Sequence, residues 1–219
     1  MEKSEASVLG GSLVSFQPGV TLEQRNAVRL AVRFARRVTF ELYKEESSAA
    51  PSYASEEARN IDLFAYYRRQ LQYLGADGLT PEQAHWPTPE RGRIVDKALH
   101  AIEATGGEQQ ASSMRQTFEA MRRCPPALLH LTSYSKEQNG FQLIPCAYAG
   151  DGLVDMVVYF ETGDLSMADS TFLFNERKNS QVRTQLVRFN THVFASEHRS
   201  KVMRSLQKAS ERDIFEVPL

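Results

Sequence analysis

The chain has 219 residues, 42% apolar and 24% charged, with a formal net charge of −1. That length supports a full hydrophobic core, and the near-neutral balance excludes a global basic field of the kind that recruits nucleic acid. Two cysteines, Cys124 and Cys146, make no disulfide scaffold, and no apolar run approaches the ~20 residues that span a bilayer.

Residues 1–19 are small and polar, punctuated by Gly10, Gly11, Pro18 and Gly19, and read as a flexible arm. Met1-Glu2-Lys3-Ser4-Glu5 lacks the apolar centre of a secretory signal and a glycine at position 2. Synthesis in the cytoplasm is expected, with any export by a signal-independent route. Thr21-Leu22-Glu23-Gln24 fits a capping box and predicts a helix to about Tyr43. On that helix Val28, Leu30, Ala31, Val32, Phe34, Ala35 and Val38 share one broad arc. Arg25, Arg29, Arg33 and Arg36 share a narrow opposite arc, with Phe40 as the misfit among them.

A loop over Ser47 to Ser55 precedes a second helix, Glu56 to Leu74, acidic at its start and closed by Gly75. The next loop carries Trp86, and Thr88-Pro89-Glu90 predicts the start of a third helix with Ile94, Val95, Ala98, Leu99 and Ile102 inward. A fourth, from about Gln109, ends at Pro125-Pro126. From Leu128 the period shortens. Leu128 to Tyr134, Phe141 to Ala149, Leu153 to Glu161, Ser170 to Glu176 and Val182 to Asn190 read as strands at hairpin spacing. A last helix follows from Thr191. The expectation is one α+β domain over 1–219: an arm to 19, a mainly helical part over 20–124, an antiparallel sheet over 125–190 and a C-terminal helix over 191–211. Short connections favour a meander of four to five strands packed against helices from both ends of the chain.

Parity within the strands assigns Phe141, Leu143, Val154, Met156, Val158, Phe160, Phe172 and Phe174 to one apolar face. The other face holds Ile144, Cys146, Tyr148, Val157, Tyr159 and Leu173 with Gln142 and Asp155, and is too apolar for open solvent. Ile144, Tyr148, Val157 and Tyr159 are therefore expected to border a pocket beside Cys146. Pro145 implies an edge strand or a bulge there.

The search for chemistry is sparse. His85, His100, His130, His192 and His198 fall in different segments without ligand spacing, so no metal site or cofactor is expected. No phosphate loop and no nucleophile elbow occurs, which leaves no assigned catalytic residue. A Cys146–His130 pair across strands would be a thiol–imidazole arrangement, against which stands the packed cysteine of an ordinary core. The arginine arc is the best candidate surface. It suits a membrane or an acidic partner, and equally the basic outer side of a core helix.

Three segments, Ser15-Phe16-Gln17-Pro18-Gly19-Val20, Tyr66-Tyr67 to Leu74-Gly75, and Phe141 to Cys146, together resemble a poorly characterised group of bacterial and fungal proteins of similar size. The group is similar in turn to the Erwinia virulence factor, an S-palmitoylated α/β protein associated with virulence in insects. That resemblance implies a virulence-associated or toxin-like protein, non-enzymatic, acting at a membrane or lipid surface, with Cys146 matching the acylated cysteine. The alternatives are a protein-binding module, such as an immunity or adaptor protein, and a cysteine-dependent enzyme.

Overall fold

The run Val154 to Phe160 is apolar on both parities, the pattern of a strand covered on both sides. In the computed structural model, which describes residues 5–47, 55–85, 93–176, 180–207 and 214–217, that run is the centre of an eight-stranded sheet. The strands are β1 (Glu5–Leu9), β2 (Ser12–Phe16), β3 (Ala76–Gly78), β4 (Gln83–His85), β5 (Gly140–Gly150), β6 (Leu153–Thr162), β7 (Gln181–Asn190) and β8 (Ile214–Val217). Their spatial order is β3-β7-β6-β5-β2-β1-β8, with β4 also on β7. Every pairing is antiparallel except β2 with β5.

The α+β class holds, but the sheet is mixed and is no simple meander. A parallel pair needs a long crossover. Here that crossover contains all the helices between β2 and β5. The expected arm is the largest correction: β1 and β2 form a buried hairpin across Gly10–Gly11 inside the sheet. Two expected strands are helical. Leu128 to Tyr134 lies in α5 (Pro125–Gln138), where Pro125 and Pro126 open a helix rather than only ending one, and Phe172–Phe174 is a 3₁₀ turn.

One helical layer comprises α1 (Leu22–Ser47), α2 (Glu56–Tyr73) and a C-terminal run of α6 (Thr191–Val193), a π-turn (Phe194–His198) and α7 (Arg199–Leu206). It packs on Val14, Phe16, Ile144, Cys146, Met156, Val158 and Phe160. The opposite layer comprises α3 (Ile94–Gly106), α4 (Glu108–Arg122) and α5, and packs on Leu13, Phe141, Leu143, Val157 and Tyr159. Both cores are thus separated by the sheet. The expected Thr21–Gln24 capping box is formed: Gln24 N–H donates to Thr21 Oγ1 at 3.2 Å and Thr21 N–H to Gln24 Oε1 at 2.9 Å. Trp86, Thr88-Pro89-Glu90 and residues 177–179, where a turn between strands is expected, lie outside the described residues.

Within β5 and β6 the two faces differ from their expected membership for one reason. The β5–β6 turn pairs Gly150 with Leu153, and a register shift follows between Gly150 and Tyr148, so that Cys146 faces Met156 and Phe141 faces Glu161. A one-residue shift moves a strand's whole set to the other face. Ile144, Cys146 and Tyr148 therefore share a face with Val154 and Met156, while Phe141 and Leu143 share theirs with Val157 and Tyr159.

Candidate functional site

The arginine arc is not a solvated face. The N-terminal hairpin extends the sheet beneath α1 and presents Glu5, Ser7 and Ser12 to it. Arg25 Nη1 meets Glu5 Oε2 at 2.7 Å, and Arg29 pairs with the other oxygen of Glu5. Arg29 Nε donates to Ser7 Oγ at 3.0 Å. Arg36 donates to Ser12 Oγ at 3.3 Å and also to Gln138 Oε1. Arg25, Arg29 and Arg36 are buried, Arg33 is half-buried, and burial lowers the pKa of Arg29. Phe40 fits the same picture: it is buried and its ring stacks 6.3 Å from Phe160.

Cys146 is fully buried, directly opposite Met156 and in parallel register with Phe16. Burial pushes its thiol well above the usual range, so it is protonated at neutral pH and a poor nucleophile. His130 sits on α5, in the other helical layer, so the two side chains lie on opposite sides of the sheet. Pro145 does not mark an edge. β5 lies between β2 and β6, and the β5–β6 ladder skips Ile144 and Pro145, the position where proline has no hydrogen to donate. The expected pocket is divided: Ile144 and the half-exposed Tyr148 lie on one face, Val157 and Tyr159 on the other. Among the described residues, no group of three or more His, Cys, Asp and Glu side chains could hold a metal ion, and no helix is long and apolar enough to cross a membrane.

What sequence reasoning missed is the seam between α1 and the C-terminal helical run. Near Leu22, Glu23 and Ala27 a groove of about 420 Å³ is walled by Phe194, Ala195 and Arg199. Further along, a second groove of about 490 Å³ is lined by Arg37, Lys201, Arg204 and Ser205. Rising residue numbers match on both sides, so the two helices run in the same sense. Arg37 Nη1 donates to the Ser205 carbonyl at 2.6 Å, which fixes the helices at this point. Lys201, Arg204 and Arg199 are exposed. Leu22, 62% exposed, lines the first groove together with Arg199, and Met203, 41% exposed, lies one helical turn from Arg199 on α7. The π-turn at Phe194–His198 widens the helix where it walls the first groove, a distortion often found at functional positions. The mixed sequence Arg199-Ser200-Lys201-Val202-Met203-Arg204 was the available signal.

No protein-family model matches the chain, and no curated protein matches it. Among solved structures, the Evf virulence factor aligns with 94% of this chain and 85% of its own, at a TM-score of 0.37 and 11% identity. That is a weak structural relation, too distant to carry a function across.

Proposed function

We propose that the protein is a non-enzymatic binding protein that docks peripherally on an anionic membrane surface through the α1–α7 seam. The observation that carries the reading is the run of exposed cations Arg199, Lys201 and Arg204 along the two grooves of this seam, with the exposed Leu22 in the same, more apolar groove as Arg199. Cations near an anionic leaflet contribute about 1 kcal/mol each, and apolar side chains at the boundary add insertion energy. The buried thiol of Cys146 has no part in this reading. The sequence resemblance adds a virulence-associated setting to this reading.

The test is co-sedimentation with phosphatidylcholine vesicles, with and without about a third phosphatidylserine. Wild type should pellet only with the anionic vesicles, and less at high salt. Lys201→Glu with Arg204→Glu should abolish pelleting and leave the melting temperature within a degree or two, since exposed charges contribute little to stability. Wild type that ignores phosphatidylserine vesicles, or a double variant that still binds them, would overturn the membrane reading. In the first case the same cations favour the second reading, an acidic protein partner.

A further inference from the structure

We propose that the buried cluster around Arg36, beneath the Gly10–Gly11 turn, binds a small monovalent anion about the size of chloride. Arg36 is 4% exposed, and its guanidinium is inserted against the turn so closely that a Cβ on Gly11 would stand 1.9 Å from Nη2. Its hydrogen-bond acceptors are all neutral: Ser12 Oγ at 3.3 Å, Gln142 Oε1 at 3.4 Å, and Gln138 Oε1. The Phe40 ring lies 4.9 Å below the guanidinium. Arg25 and Arg29 share Glu5, but no described carboxylate lies within ion-pair distance of Arg36. Glu137, exposed on α5, acts on it only from further away. Burial brings the Arg36 pKa down to about 9, which still leaves it cationic at neutral pH. A buried cation without a counter-charge is expensive, and a bound anion removes that expense.

The polar atoms left over in the same cluster point to the sign of the ligand. Arg36 Nε, Tyr67 Oη and Gln142 Nε2 are all buried and lack a hydrogen-bond partner. The Gln142 amide is oriented, because its oxygen accepts from both Ser12 and Arg36, so its unpaired end is the NH₂. Tyr67 is fully buried, and burial raises its pKa, so it keeps its proton to donate. These groups belong to neighbouring side chains: Arg36 donates to Gln142, Tyr67 is close enough to act on the charge of Arg36, and Gln142 and Tyr67 both flank Phe160. The surplus is therefore of donors. A water molecule there would need acceptors for its own two hydrogens, whereas a halide-sized anion needs only donors.

The experiment uses the full chain exchanged into sodium gluconate, then titrated with sodium chloride at constant ionic strength. Chloride should raise the thermal midpoint saturably and broaden the ³⁵Cl resonance. Tyr67→Phe, which removes one donor and keeps the ring, should weaken the apparent affinity about tenfold or more. Arg36→Met should remove the response, and if it fails to fold, Gln142→Leu replaces it with the same direction of effect. A wild-type midpoint that ignores chloride, with no line broadening, would overturn the site. So would a Tyr67→Phe protein that responds to chloride as wild type does.

Discussion

Phe160→Ala is the sharpest test of how the α1–α2 layer holds the sheet. The Phe160 side chain is fully buried and is flanked by three rings: Phe40 at 6.3 Å and nearly parallel, Phe64 at 6.1 Å and edge-on, Tyr67 at 6.4 Å and tilted. Truncating a buried phenylalanine costs about 3–5 kcal/mol, depending on how far the site can collapse. Rigid rings on separate elements cannot close the void, and each lost ring pair adds about 0.5–1.5 kcal/mol. The expected loss is therefore at the upper end, about 5 kcal/mol, a large part of the ~5–15 kcal/mol that holds a domain folded. For a chain of this size that corresponds to roughly 10–20 °C in melting temperature. Urea unfolding followed by circular dichroism gives the number directly, with Leu129→Ala at a 59% exposed position as the control, expected to change stability by less than about 0.5 kcal/mol. A loss under about 2 kcal/mol for Phe160→Ala, with an unchanged slope, would mean that these rings do not form a shared core.

The thiols give a simple count: native protein treated with a thiol reagent should label the half-buried Cys124 and spare Cys146, and both should react once the chain is unfolded in urea. Rapid labelling of Cys146 in the native state, read by peptide mass, would contradict its burial. Glu5→Gln should cost about 3 kcal/mol in the same urea assay, because it takes the carboxylate from the Arg25–Glu5–Arg29 group. A neutral outcome would mean that the hairpin is held without this pair.

Most of the helices are legible because each carries its own local signal; α5 is the exception, since Leu128 to Tyr134 also reads as a strand. Thr21 and Gln24 formed the expected cap, and Ser55 capped α2 by accepting from the Ala58 N–H at 3.1 Å. The N-terminal hairpin is not, because Ala6 to Leu9 and Leu13 to Phe16 are short, each interrupted by a serine, and Gly10-Gly11 suits an arm as well as a turn. With β1 and β2 removed from the sheet, nothing covers the arginine arc, and Arg25, Arg29 and Arg36 look like surface. The face assignment failed on a single bulged residue near Tyr148, which no hydrophobic pattern records. The α1–α7 seam was hidden for a different reason: it is formed by segments far apart in sequence, and neither half is unusual alone.

The position of the N-terminal hairpin has a consequence for biosynthesis. β1 and β2 leave the ribosome before the rest of the sheet, yet β2 pairs with β5, made after residue 139, and β1 pairs with β8, which begins at Ile214. Until those strands appear, Val14 and Phe16 have no sheet to join and α1 has no floor. Nascent chains halted before β5 should therefore hold an exposed apolar hairpin, a substrate for holding chaperones, and acquire protease resistance only when the late strands emerge.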